Sequence, residues 1–164
     1  MHKKTKGTIA ELHVCADLIK QGWHILLPYG ENQRYDVVAE KEGRFLRIQV
    51  KYVTPKDGRL YVNCQSSNNW SVEPYTSAQI DVIAAFNPQD HRVYYVPVRE
   101  ICKTKMALRL EPAKNGQQKK IRYAKDFGEF PGFVKEANLF SYSSPRTMER
   151  SCGAGTQAAK GDRL

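Results

Sequence analysis

The fold is decided by one stretch, residues 34–51, which reads RYDVVAEKEGRFLRIQVK. Residues 35–39 and 44–52 are rich in Val, Ile, Phe and Tyr, the residue types that favour strands. Glu42 and Gly43 lie between the two runs, where a tight reversal is predicted because glycine adopts the positive φ that such turns need. The stretch therefore predicts a β-hairpin centred between Glu42 and Gly43.

This hairpin brings polar side chains together on one face. In a hairpin the residue numbers of each opposed pair add up to the same value, so Asp36 is predicted to lie opposite Gln49. Directly opposed side chains are about 5 Å apart. Lys51 shares the face of Gln49 because strand side chains alternate. The opposite face is predicted to be apolar, with Leu46, Ile48, Val50 and Tyr52. An alternative interpretation is that Gln49 and Lys51, with Arg47, simply face solvent on a half-buried sheet.

Upstream of the hairpin, residues 9–21 predict an amphipathic helix that Gly22 ends. Its apolar stripe is predicted to contain Ile9, Leu12, Ala16 and Ile19, and its water-facing stripe His13, Asp17 and Lys20. Residues 1–6 precede the predicted helix and are basic, which is typical of a mobile arm unless it meets a phosphate backbone.

Glu11 is the candidate functional residue of this helix. It shares a helix side with Val14, Cys15 and Leu18. A carboxylate on an apolar side needs a partner, because an unpaired buried charge is costly; a metal ion or an ordered polar network would serve. The other interpretation is a capping box, in which Thr8 caps the helix and Glu11 completes the motif three residues later.

Downstream, the pattern predicts a strand over residues 60–64, a buried strand over 80–86 and a returning strand over 93–97. The polar residues 65–71 between them are typical of a plain connecting loop. Asp81 is interpreted as structural, bonding a neighbouring turn. Residues 1–142 are predicted to form one domain, and residues 143–164, rich in Ser, Gly, Ala, Thr and charge, a disordered tail.

Composition narrows the class of protein. The 164 residues carry a formal net charge of +9, which favours polyanionic partners, although many basic domains are merely soluble. The four cysteines are scattered, without the pairing typical of a zinc site. No apolar run approaches the length of a membrane span and the first residues do not resemble a signal peptide, so we expect no membrane association and a cytoplasmic protein.

Asp36, Gln49, Val50 and Lys51 together resemble the core of the PD-(D/E)XK nuclease superfamily: an aspartate, a strand turn, an acid or sometimes Gln, an apolar residue and a lysine. The flanking sequence is similar to one branch, the small intron-encoded homing endonucleases and their relatives. That similarity covers residues 4–100. It is carried by residues 7–11 (GTIAE), 22–23 (GW), 27–30 (LPYG), 34–36 (RYD), 48–51 (IQVK) and 94–98 (YYVPV).

The resemblance implies an α/β (α+β) fold with a restriction-endonuclease-like core, a mixed central β-sheet flanked by helices. It also implies a Mg²⁺-dependent DNA endonuclease, with Mn²⁺ as a substitute for Mg²⁺. Its catalytic residues are predicted to be Glu11, Asp36, Gln49 and Lys51. Glu11 and Asp36 would be the anionic metal ligands, with the Gln49 amide oxygen or the Val50 main-chain carbonyl as a neutral one. Lys51 would orient or deprotonate the attacking water, or stabilise the phosphate. Gln49 departs from the more usual acid, which lowers the negative charge of the site.

Double-stranded DNA is the implied partner, with homing-type cleavage of both strands by a homodimer or homotetramer. The predicted DNA-binding residues are Lys3, Lys4, Lys6, Arg34 and Lys56. Two alternatives remain open: a structure-selective nuclease like a Holliday-junction resolvase, and a catalytically inactive DNA-binding module. A Ser/Cys-His hydrolase is disfavoured, because the four histidines lie in no recognisable nucleophile context.

Overall fold

The chain places a long helix on one face of a mixed β-sheet, in a computed structural model that describes residues 1–30, 32–67, 71–112 and 121–131. The helix is α1 (Lys3–Lys20), and short 3-10 helices span Val98–Glu100 and Ala124–Phe127. The strands are β1 (His24–Leu26), β2 (Val37–Lys41), β3 (Arg44–Tyr52), β4 (Arg59–Asn63), β5 (Gln65–Ser67), β6 (Val72–Pro74), β7 (Val82–Asn87), β8 (Arg92–Pro97) and β9 (Lys105–Arg109).

The main sheet has the strand order β1-β2-β3-β7-β8 among the described residues. β3 and β7 run parallel, and the other neighbouring strands of this sheet are antiparallel. Separate two-stranded sheets pair β4 with β9 and β5 with β6. The predicted mixed α/β architecture is confirmed, with one difference: of the described elements, an α-helix covers one sheet face only, and the β4–β9 pair belongs to the core on the other.

The central hairpin has the predicted register. Val37 pairs with Ile48 and Lys41 with Arg44, so the same register places Asp36 opposite Gln49. Glu42 and Gly43 form the turn with φ of 55° and 75°. Positive φ at both central residues gives the turn a twist that matches the right-handed twist of the flanking strands. The local sequence therefore determines which polar side chains meet.

The two faces of β3 have different surroundings. Ile48 and Val50 are buried beneath α1, in a core cluster that also contains Ala10, Val14 and Leu18 of the helix. Leu46 and Tyr52 pack at the margin of that cluster, so the predicted apolar face is confirmed. A second core cluster on the other side contains Ile83 and Ala85 of β7, Tyr94 and Val96 of β8, Leu60 and Val62 of β4, and Met106 and Leu108 of β9.

The helix begins earlier than predicted. His2 is its N-cap and accepts a hydrogen bond at Nδ1 from the Lys4 amide at 3.3 Å. The prediction of a mobile basic arm is wrong, because the lysines of that segment lie in the first turns of α1. The capping-box interpretation is also wrong: Thr8 lies inside the helix, where its hydroxyl donates to the Lys4 carbonyl at 3.3 Å. A threonine within a helix commonly satisfies its hydroxyl in this way.

The predicted apolar stripe of α1 is wrong except at Ile9, which packs against the core. Leu12 and Ile19 are 66% and 60% exposed, whereas Ala10, Val14 and Leu18 are fully buried. The helix carries apolar residues on more than one side, so periodicity alone cannot select the side that the sheet covers.

The predicted water-facing stripe holds only for Lys20, which is exposed. The His13 ring stacks on Phe86, with centroids 4.2 Å apart. Asp17 accepts a 2.6 Å hydrogen bond from the hydroxyl of buried Tyr95. Both side chains therefore lie against the sheet, where an aromatic ring or a hydrogen bond compensates for their polarity.

The prediction of a plain loop over residues 65–71 is wrong for β5 (Gln65–Ser67), which pairs with β6 and matches Ser66 with Glu73. Residues 68–70 lie outside the described residues. The predicted tail, residues 143–164, and the proposed domain boundary at residue 142 lie outside the described residues. No described helix has the length and apolarity that a membrane span requires.

Candidate active site

Asp36 directly precedes β2 and is held against β3 through both its main chain and its side chain. Its amide donates to the Ile48 carbonyl at 2.9 Å. Its Oδ2 accepts a 2.7 Å hydrogen bond from the Val50 amide and a further bond from Gln49 Nε2. The carboxylate thus meets a main-chain donor of β3 just before the first paired residue of β2, which fixes its position beside β3.

Val50 presents its carbonyl to the same place. In an antiparallel ladder the N–H and C=O of one residue leave the strand on the same side, and the Val50 oxygen accepts from Gln49 Nε2 at 3.4 Å. Asp36 and Gln49 therefore meet as predicted, and the Val50 carbonyl lies beside the Gln49 amide. One detail differs: the amide nitrogen of Gln49 faces Asp36, so its amide would have to rotate before the oxygen could act as a ligand.

Glu11 approaches from α1. Burial raises the pKa of the Glu11 carboxyl, and the negative charge of Asp36 raises it further. Burial also raises the pKa of Asp36, against the opposing effects of the Val50 hydrogen bond and the Lys51 charge. The helix and the hairpin therefore place two partly desolvated carboxyls in one electrostatic neighbourhood.

This donor set fits a hard divalent cation. Mg²⁺ binds oxygen and usually takes one or two carboxylates together with water and substrate phosphate. Glu11 and Asp36 supply the carboxylates and Val50 a neutral oxygen, and burial raises the pKa of both acids. No cluster of three or more His, Cys, Asp or Glu residues suited to a metal occurs in the part of the chain that the structure describes.

Lys51 lies on the polar face of β3, but its hydrogen bond goes to a residue that the sequence did not indicate. Its Nζ donates to the Tyr75 hydroxyl at 3.0 Å, while its charge lowers the pKa of Asp36. Tyr75 is buried and immediately follows β6. No local pattern could have identified it, because its relation to Lys51 arises from the tertiary fold alone.

The predicted DNA-binding residues lie in different parts of the structure. Lys3 and Lys4 are exposed in the first turn of α1, and Lys56 is exposed in the turn before β4. The Lys6 ammonium lies 5.6 Å from the ring centroid of Tyr52, at the end of β3. Arg34 is partly engaged within the protein, donating to Ser66 Oγ at 2.9 Å and pairing with Glu73 at 3.5 Å.

Arg47 and Asp81 form an ion pair that is separate from the carboxyl pair. Asp81 Oδ2 accepts from the Arg47 amide at 2.8 Å and from Nε at 3.0 Å. Asp81 in turn raises the pKa of Arg47, chiefly through this hydrogen bonding. Asp81 therefore has a bonding role, as predicted, although its partner is on β3 rather than in a turn.

The family of the chain follows from comparison with known proteins. The profile of the PD-(D/E)XK endonuclease family matches residues 1–130. The chain belongs to this family. An endonuclease with a restriction-endonuclease-like fold is thereby confirmed, as predicted from the hairpin and its flanking sequence.

Solved structures give further likenesses. The endonuclease is similar to I-Ssp6803I, a bacterial homing endonuclease, with 27% identity and a TM-score of 0.64 over 77% of this chain and 88% of that one. A weaker match is Hjc, a Holliday junction resolvase from Archaeoglobus fulgidus, with 18% identity and a TM-score of 0.40 over 63% of this chain and 84% of that one. No curated protein sequence gives a significant match.

The carboxyl pair predicts a pH-dependent stability for the endonuclease. Because the folded-state pKa of Glu11 is raised, the folded state binds this proton more tightly than the unfolded state does. Protonated Glu11 therefore stabilises the folded state below the ordinary pKa of 4.5, and this stabilisation is lost as pH rises through the raised pKa. Glu11→Gln should therefore stabilise the metal-free protein at pH 7 by a few tenths of a kcal/mol, and the gain should vanish near pH 4.

Urea unfolding of both proteins across this pH range in EDTA measures the difference. Glu73→Gln is a control, because Glu73 is an acid away from the carboxyl pair that contacts Arg34 instead. A constant difference between Glu11→Gln and the parent at all pH values would contradict the electrostatic interpretation.

Proposed function

We propose that this endonuclease hydrolyses DNA phosphodiester bonds with Mg²⁺, and that it cleaves both strands of a specific duplex site in the manner of a homing enzyme. The observation that carries the proposal is the convergence of Asp36 with Gln49 and Val50 of β3. Burial and the negative charge of Asp36 raise the pKa of the Glu11 carboxyl, which supports its place in the same site. The 27% identity to a homing endonuclease over most of both chains supports the homing type.

In this proposal Glu11, Asp36 and the Val50 carbonyl hold the cation, and Gln49 joins them when its amide is rotated. A cation bound there would offset negative charge on the phosphate and favour ionisation of a water. The partial burial of Asp36 strengthens its attraction for positive charge, because solvent screens it less. The Val50 amide fixes the orientation of Asp36, so less reordering is needed when substrate binds.

Lys51 supplies a positive charge beside the carboxyl pair. Lys51 shares a strand face with Gln49, whose amide contacts the Asp36 carboxylate, and the Lys51 charge lowers the pKa of Asp36. An ammonium held at this position can donate to a non-bridging phosphate oxygen and stabilise the charge that develops as the bond breaks. The exposed Lys3, Lys4 and Lys56 supply contacts to flanking phosphates, which position the duplex without reading its sequence.

Cleavage of both strands points to an assembly of identical subunits. One such site cleaves one strand at a time. The two strands of a duplex are related by approximate two-fold symmetry, so two identical subunits can each address one strand. A homodimer or homotetramer therefore provides the arrangement that double-strand cleavage requires.

The proposal is tested on supercoiled plasmid carrying a randomised insert and on four-way junctions, with Mg²⁺, Mn²⁺, Ca²⁺ or EDTA. We expect Mg²⁺ and Mn²⁺ to give linear product and EDTA to abolish cleavage, since the carboxyl pair lacks its positive partner without a cation. Sequencing the ends should give one recurrent site. Light scattering of the same sample should give a mass of two or four chains.

The other outcomes are distinct. Cleavage restricted to four-way junctions would contradict the proposed homing activity and indicate resolvase activity instead. Salt-sensitive binding to DNA without cleavage of any substrate would replace both with a DNA-binding module.

A further inference from the structure

We propose that Tyr75 is a positioning residue that holds the Lys51 ammonium beside Asp36 and keeps it from forming an ion pair with that carboxylate. The inference rests on the proposed function, because it assigns Tyr75 to the same reaction. It starts from the one hydrogen bond of the Lys51 side chain that the structure describes, which goes to a phenol although a carboxylate lies close enough to be affected by the lysine charge.

The contact is made through the hydroxyl group. Nζ lies 3.0 Å from the phenolic oxygen and 5.1 Å from the ring centroid of Tyr75. The hydroxyl therefore accepts the hydrogen bond, and the ring is the more distant part. A neutral acceptor satisfies one of the three ammonium donors and leaves the charge uncompensated.

The fold holds Tyr75 firmly. Tyr75 is 6% exposed within the second core cluster, and its amide donates to the Cys64 carbonyl at 3.0 Å. The residue follows β6, whose hairpin with β5 also accepts the Arg34 guanidinium through Ser66 and Glu73. The β5–β6 pair and the residue that follows it thus contact both Arg34, two residues before Asp36, and Lys51.

Lys51 needs such a support. A lysine ammonium is a point charge on a flexible four-carbon stem and carries about 2 kcal/mol of rotamer entropy, and the nearby Asp36 attracts it. If Lys51 paired with Asp36, the carboxylate would be less available to a cation, and the ammonium less available to a phosphate. The Tyr75 hydroxyl provides an alternative partner for the Lys51 ammonium that leaves the Asp36 carboxylate available to a cation and the ammonium charge available to a phosphate.

The experiment compares Tyr75→Phe with Tyr94→Phe. Tyr94 is also buried in the second core cluster, but its hydroxyl donates to Asp90 at 2.8 Å instead of contacting Lys51. We expect Tyr75→Phe to lower kcat for DNA cleavage by about tenfold to a hundredfold, the effect of losing one hydrogen bond to a charged group. KM and the melting temperature should stay near those of the parent, and Tyr94→Phe should leave kcat unchanged.

A second measurement needs no catalysis. In ¹⁵N-lysine-labelled protein without metal, the Lys51 ammonium signal, assigned by its loss in Lys51→Ala, should shift in Tyr75→Phe and stay in place in Tyr94→Phe. An unshifted signal would overturn the proposed contact even if the protein cleaves no DNA. If the parent cleaves DNA with Mg²⁺ and Tyr75→Phe cleaves it at the same rate, the positioning role is overturned and the proposed function stays intact.

Discussion

Lys51→Ala is expected to lower the rate of DNA cleavage by about a hundredfold to a thousandfold, the loss typical of removing one group that stabilises transition-state charge. Asp36→Asn should have at least as large an effect, since it removes one of the two acids proposed to hold the cation. Single-turnover cleavage with saturating Mg²⁺ measures both variants. Binding to the same DNA in Ca²⁺ should stay within about threefold of the parent, because phosphate contacts elsewhere supply most of the affinity.

Lys41→Ala is the matched control. Lys41 belongs to the same hairpin and carries the same charge, but its ammonium lies 5.6 Å from the Trp23 ring centroid, not beside the carboxyl pair. Its loss should leave the rate nearly unchanged. Equal rates for Lys51→Ala and Lys41→Ala would remove Lys51 from the proposed chemistry.

Leu18→Ala should lower the free energy of unfolding by about 2–5 kcal/mol, because its fully buried side chain fills the space between α1 and the main sheet. Leu12→Ala makes the same change in the same helix at a position that is 66% exposed. It should alter the free energy of unfolding by no more than about 0.5 kcal/mol. Urea unfolding at a fixed protein concentration measures both variants.

A large effect of Leu12→Ala would show that its face of α1 is covered in solution. Repeating the measurement at several protein concentrations would then show whether association between chains covers it, since the stability of an associated protein rises with concentration.

The hairpin was predictable because its determinants are local. Glu42 and Gly43 select the turn, the turn fixes the register, and the register brings Asp36 to Gln49. The side of Glu11 was predictable as well, because Val14 and Leu18 on that side are buried. The apolar stripe of α1 was not, since Leu12 and Ile19 satisfy the same helical period as the residues that the sheet buries.

Tyr75 shows a different limit of sequence interpretation. Its proximity to Lys51 depends on the tertiary placement of the residue that follows β6, and a polar segment gives no apolar alternation from which to predict the β5–β6 pairing. The prediction of where α1 begins was wrong for another reason. Lysine is a good helix former, so a basic segment that resembles a tail can extend a helix.

Since Lys3 and Glu11 belong to one continuous helix, α1 fixes the distance between them. At 1.5 Å per residue, the first lysine stands about 12 Å along the axis from the proposed metal ligand. A phosphate bound by Lys3 would therefore keep a set distance from the bond to be cut. A one-residue insertion between these positions would also turn the lysine by about 100° around the axis, so both the spacing and the phase of this contact are built into the helix.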